Sequence, residues 1–388
     1  MTVTSPQGFR AIGVTAGIKK SGKPDVSLVV NDGPQFIAAG VFTSNRFCAA
    51  PVLWSRQVLK DQSLRAVILN SGGANACTGP AGFADTHHTA EAVAELLTAS
   101  GIETGPGEIA VCSTGLIGEL LPMPKLLSGI DAAVRGLSDN GGQAAAEAIM
   151  TTDTVAKTVS IDGDGYVVGG MAKGAGMLAP ALATMLVVIT TDAVVSPELA
   201  DSALRTATSL SFDRIDSDGC MSTNDTVLLL ASGASGREPH PDEFTSTLTD
   251  ACMSLARQLI ADAEGASKDI AIEVVGAAST QDALDVARAV SRSNLLKCAI
   301  HGEDPNWGRV LSAVGTTAAV FEPEQVDVAM NGVWVCRNGG VGDDRSLVSL
   351  AGREVTIRIE LNAGLHTATV WTNDLTADYV HENSAYST

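Results

Sequence analysis

Aromatic residues are scarce: Phe, Trp and Tyr make up 4% of the 388 residues. A core must therefore be assembled from Ala, Val, Leu, Ile and close glycine contacts, which suits packed α/β layers better than an aromatic-rich binding surface. Clustered Lys and Arg are also missing. With a formal charge of −19 and no basic stripe, the chain lacks the electrostatic footprint of a nucleic-acid binder, and the acidity reads as solubility. No long hydrophobic run is present: the most apolar stretch, Met177–Ile189, is interrupted by Pro180 and Thr184 and falls short of the roughly 20 residues a membrane span needs. Met1–Gly13 has neither a basic segment nor an apolar core, so no secretory signal is expected. The seven cysteines are scattered, odd in number and without a C-x-x-C pair, and no H-E-x-x-H spacing occurs. That argues against a disulfide framework and against zinc, leaves no metal or cofactor site in view, and fits a reducing cytoplasm. A G-x-S-x-G elbow is absent as well.

What is present is a globular composition, 45% hydrophobic, on a chain long enough for one large or two medium domains. Short β-branched runs at Ser27–Asn31, Phe36–Thr43, Ala66–Asn70 and Glu108–Cys112 read as strands, several of them apolar enough for burial on both faces. Helical spacing appears at Asp85–Ser100, Pro124–Leu137, Pro197–Ser209, Pro241–Ala263 and Thr280–Ser293. Later strands are expected at Ile270–Val275, Gln325–Val328, Val355–Leu361 and His366–Thr372. The class is mixed α/β, layered sheets covered by helices, with a smaller C-terminal subdomain expected from about residue 280.

Three local patterns imitate known sites. Gly17 to Lys23 matches the first seven positions of a phosphate-binding loop, but Pro24 replaces the hydroxyl residue and a strand follows instead of a helix; it reads as a solvated turn. Gly174-Ala175-Gly176-Met177-Leu178-Ala179 fits a dinucleotide fingerprint, yet Pro180 opposes the helix that motif requires. Asp216-Ser217-Asp218-Gly219 resembles the middle of a calcium loop whose first ligand would be the cation Arg214.

The segment Lys173 to Ile189 is different. A small-residue stretch ends at Ala183, and Thr184 opens an apolar run that reads as a buried strand. If the Ala183–Thr184 bond is cut, Thr184 owns both a hydroxyl and a free α-amine, whose pKa near ~7.7–8.0 suits it as base for its own nucleophile. One residue then replaces a Ser-His-Asp set.

The block Lys173 to Leu186 resembles the self-cleavage motif of the glutamate/ornithine N-acetyltransferases of arginine biosynthesis. Further blocks resemble that family in the same order: Ala110–Gly118, Met150–Thr154, Asp225-Thr226, Asp262–Gly265, His301–Arg309 and Tyr379–Thr388. Asp216–Ser222 does not match position by position. The resemblance implies the self-cleaving ornithine acetyltransferase/aminopeptidase fold, cut into an alpha chain of residues 1–183 and a beta chain of 184–388. It implies Thr184 as nucleophile, Thr114 and Gly115 as oxyanion donors, and Thr151, Lys173, Thr184, Glu264, Asn383 and Thr388 as substrate-binding residues, with the C-terminal tail ordered near the site. The substrates would be N2-acetylornithine and L-glutamate, and the assembly a dimer of heterodimers. Some members also take acetyl from acetyl-CoA; no residue of this sequence separates the two kinds. A self-processed amidase or aminopeptidase, with water as acceptor, is the alternative.

Overall fold

The computed structural model describes residues 2–178 and 185–385. The chain begins with β1 (Phe9–Val14), β2 (Val26–Asn31), β3 (Ile37–Phe42), α1 (Ala50–Val58), β4 (Ala66–Ser71), α2 (Gly79–Ala99), β5 (Ile109–Thr114), α3 (Met123–Gly136) and α4 (Gly142–Ala148). It continues through β6 (Lys157–Asp162), β7 (Val167–Lys173), β8 (Leu186–Thr191), α5 (Pro197–Leu210), β9 (Thr226–Ala231) and α6 (Pro241–Ala261). The last part holds β10 (Asp269–Ala277), α7 (Thr280–Ser291), α8 (Asn294–His301), α9 (Trp307–Val314), β11 (Asp327–Met330), β12 (Val333–Arg337), β13 (Gly340–Val341), β14 (Glu354–Glu360), β15 (His366–Asn373) and α10 (Ala377–Ala385).

Three sheets result, in strand orders β1-β2-β4-β5, β3-β9-β8-β7-β6 and β13-β12-β11-β14-β10-β15. Each contains one parallel pair among antiparallel ones: β4 with β5, β8 with β9, and β10 with β14. The first two of these pairs are joined through a helix, α2 and α5, as parallel neighbours require. Helices α5 and α7 begin on serine caps. Ser196 caps α5 by accepting from Leu199 N–H at 3.2 Å, with Pro197 in the first turn, and Ser279 caps α7 through Asp282 N–H at 3.0 Å.

The central strands explain the continuous apolar run after Thr184. Leu186 and Val188 of β8, with Leu228 and Leu230 of β9, join a core shared with the first sheet. Val187, Ile189, Val227 and Leu229 point the other way, into a second core under α5 and α6. A strand buried on both faces has no polar alternation to show. The third sheet encloses its own core with α7, α8 and α9.

Predicted and observed elements agree in kind, with ends shifted by a few residues. Helix α2 starts at Gly79, six residues ahead of the expected Asp85, and β5 runs on to Thr114 instead of stopping at Cys112. Strands β1, β6, β7, β9, β12 and β13 and helices α1, α4, α8, α9 and α10 go beyond the sequence reading. The turn at Gly17–Lys23 stands as read, but it is not wholly solvated: Lys19 within it is half-buried.

Candidate active site

Strand β5 ends at Thr114, whose carbonyl oxygen accepts from the N–H groups of both Gly72 and Gly73, at 2.9 and 3.0 Å. The chain then turns through Gly115 at φ +129°. A Cβ there would stand 2.5 Å from the Gly73 nitrogen, so only glycine fits. Among the described residues the Gly115 N–H donates to nothing. A free backbone donor and an adjacent hydroxyl at the rim of a cavity are the elements of an oxyanion hole.

Lys173 arrives from the second sheet. It is the last residue of β7 and pairs with Leu186, the first residue of β8. Its side chain is buried, and Nζ donates to Thr114 Oγ1 at 3.2 Å. That contact fills a lone pair of the hydroxyl and leaves the Thr114 O–H free to donate elsewhere. Burial lowers the Lys173 pKa, Asp153 opposes the shift, and Lys157 adds to it.

Asp153 organises the neighbouring loop. It accepts from Thr151 N–H at 2.9 Å, Gly174 N–H at 2.7 Å and Lys157 Nζ at 2.6 Å; Lys157 also reaches Asp262 at 2.5 Å. Burial works against its ionised form, but Lys173, Lys157 and these hydrogen bonds outweigh it, and the carboxyl settles at about 2. The Asp153–Lys157–Asp262 chain thus ties the Thr151 loop to the turn that presents Glu264. Glu264 N–H donates to Ala175 O at 2.9 Å, and its carboxylate lies over Gly176, where a Cβ would meet it at 2.7 Å. Asn383 of α10 donates to Glu264 Oε2 at 2.9 Å.

Thr114, Gly115, Thr151, Lys173, Glu264 and Asn383, nominated from five separate stretches of sequence, line one cavity of about 300 Å³. Ala183, Thr184 and Thr388 lie outside the described residues. The flanking residue Met185 is buried, and its N–H donates to Asp225 Oδ1 at 3.2 Å. Burial pushes the Asp225 carboxyl well above the usual carboxylate range, against the pull of the Met185 N–H, and Oδ2 has no hydrogen-bond partner among the described residues.

Sequence reasoning missed Thr152, Asp218, Cys220 and Tyr379, which share the cavity wall. Asp218 sits in the calcium-like turn, where it accepts from Met177 N–H at 2.7 Å while Asp216 pairs with Arg292 at 2.7 Å. Burial raises Asp218, and burial with the charges of Asp218 and Glu264 takes the Tyr379 phenol up to about 12. A short acidic turn and a lone tyrosine carry no spacing signal that would have found them. Among the described residues, no three His, Cys, Asp or Glu side chains group as a metal site would require.

The site is therefore a small polar chamber with a free backbone N–H and a hydroxyl on one wall, a buried cation, and an acidic end bordered by α10. The chain is similar to known proteins over its length. The ArgJ family model matches residues 10–388. The arginine biosynthesis bifunctional protein ArgJ of Streptomyces avermitilis is 66% identical over 387 residues, covering 100% of both chains. The protein of the same name from Mycobacterium leprae is 56% identical over 388 residues, covering 99% of this chain and 95% of its own. A solved ornithine acetyltransferase from Mycobacterium tuberculosis, complexed with ornithine, is 58% identical with a TM-score of 0.44, covering 48% of this chain and 96% of that one. With the family model spanning nearly the whole chain and relatives this similar end to end, the chain belongs to the ArgJ family.

Proposed function

We propose that this chain is an ornithine acetyltransferase of arginine biosynthesis, moving acetyl from N2-acetylornithine to L-glutamate through an ester on Thr184. Self-cleavage between Ala183 and Thr184 frees the amine that serves as base. The Thr184 hydroxyl attacks the acetyl carbonyl and passes its proton to that amine. The tetrahedral oxyanion takes hydrogen bonds from Gly115 N–H and the Thr114 hydroxyl, the C–N bond breaks, and ornithine leaves carrying the proton. Glutamate then enters as the free amine, attacks the ester and regenerates Thr184. Two acyl transfers through an ester replace one direct amide exchange.

The observation that carries this reading is the meeting of Thr114, Gly115, Thr151, Lys173, Glu264 and Asn383 around one cavity, beside the strand that begins at Leu186. The Lys173 ammonium offers a cation to a substrate carboxylate, and Glu264, held by Asn383, offers an anion to the ornithine ammonium. The two cleavage products stay associated in this account, and two such pairs form the assembly. Thr388 is a further substrate-binding residue in the same proposal. Acetyl-CoA as a second acetyl donor belongs to the same proposal.

The test is to incubate purified protein with N-acetylornithine and glutamate and to quantify products. Stoichiometric N-acetylglutamate and ornithine are expected; free acetate in place of N-acetylglutamate would make it a hydrolase.

A further inference from the structure

Ornithine and glutamate differ at their far ends, one an ammonium and the other a carboxylate. Glu264 and Asp218 suit the first and repel the second. Lys173 is the cation assigned above to one substrate carboxylate, and glutamate carries two. The acceptor's side chain therefore calls for another cation close to the oxyanion residues.

Lys19 meets that description. Its stem packs against Gly72, where a Cβ would meet Lys19 Cγ at 3.3 Å, and Gly72 N–H is one of the two donors to the Thr114 carbonyl. The turn that carries it is fixed by buried Asp25, which accepts from the N–H groups of Ala16, Ile18 and Lys19 at 2.6, 2.6 and 2.9 Å. Lys19 Nζ makes one hydrogen bond, to Pro24 O at 2.8 Å, so of its three donors two are unused among the described residues. No carboxylate there lies within ion-pair distance of it.

Lys19, Ser21, Lys23 and Thr151 border a cleft of about 320 Å³, and Thr151 also lines the active-site cavity. Two acids border the cleft too. Asp153 is committed to Lys157 and two N–H groups, and Glu147 is exposed and accepts from Gln143 at 3.0 Å. Burial brings the Lys19 ammonium down to about 8, Lys173 and Lys23 pushing the same way and Asp25 and Asp153 opposing. Its charge is thus coupled to that of the active-site lysine.

We propose that the cleft at Lys19 is a carboxylate subsite that selects the dicarboxylic acceptor by pairing with its side-chain carboxylate. The proposal rests on the acetyl exchange described above and names the residue that discriminates between its two amines.

A double-displacement enzyme allows the halves to be read separately. Exchange of radiolabelled ornithine into N-acetylornithine uses the donor half alone, whereas N-acetylglutamate formation needs both. Lys19→Gln is expected to raise the KM for glutamate about tenfold or more relative to the KM for ornithine in the exchange, the loss of one charge-assisted hydrogen bond. Lys19→Arg should recover most of that ratio. A Lys19→Gln enzyme in which both KM values move alike, or neither moves, would overturn the subsite. No ornithine exchange in the unaltered protein would instead sink the acetyl-exchange reading, and the subsite with it.

Discussion

Gly115 combines the two properties a substitution exposes most directly. Its φ of +129° is hostile to any Cβ, and the nearest atom to such a Cβ is the Gly73 nitrogen at 2.5 Å. Gly115→Ala must move the peptide that supplies the free N–H, and kcat should fall by about 10²–10³, the usual cost of an oxyanion donor. Steady-state acetyl transfer measures the loss, and circular dichroism checks that the fold survives. Residues of this kind were legible in the sequence because they sit in extended blocks that resemble a family. Asp218 and Lys19 were not. Asp218 acts through a backbone contact to Met177, and Lys19 through packing on Gly72, relations that span 41 and 53 positions and leave no local period.

At the scale of elements, the docking of α10 is the feature most open to test. Gly265 at φ +63° lies under it, and a Cβ there would stand 2.2 Å from Tyr379 N. The same turn is tied by Thr376 Oγ1, which donates to Gly265 O at 2.7 Å and accepts from Tyr379 N–H at 2.9 Å. Gly265→Ala should push α10 outward and take Asn383 away from Glu264. A loss of about tenfold to a hundredfold in kcat/KM for N-acetylornithine is expected, since small displacements of positioning groups are costly. Unchanged kinetics would separate α10 from the site. The long helices were readable from their apolar stripes, and α5 and α7 from a serine cap as well. Strand β7 was not: Val-Val-Gly-Gly-Met-Ala-Lys has no period, and its glycines answer close approaches by other chain segments, Gly169 to Thr2 O at 2.3 Å from a Cβ position. Helix α2 begins six residues early for a similar reason, its first turn holding small residues with no apolar stripe.

Over the whole molecule, electrostatics set the acid limit. Asp153 is depressed from 3.8 to about 2 in the folded protein, so it binds fewer protons folded than unfolded. Its contribution is complete above roughly pH 4 and disappears as pH falls through about 2. Asp225, shifted upward, works in the opposite sense: above about pH 4 it binds more protons folded than unfolded, so acidification there favours the folded state, equally with and without Asp153. Unfolding free energy between pH 5 and pH 2 should therefore fall by about 2 kcal/mol more in the unaltered protein than in Asp153→Asn. A denaturant series at each pH measures both slopes; parallel slopes would remove Asp153 from the acid transition. Among the described residues no helix is long and apolar enough to cross a membrane.

The proposed chemistry requires cleavage of the bond between Ala183 and Thr184. Intact mass and N-terminal sequencing of the purified, active protein test it most directly. Two fragments are predicted, residues 1–183 and 184–388, the second beginning Thr-Met-Leu-Val, with Thr184→Ala remaining one inactive chain. Full acetyl-transfer activity in a single uncut polypeptide of 388 residues would contradict it.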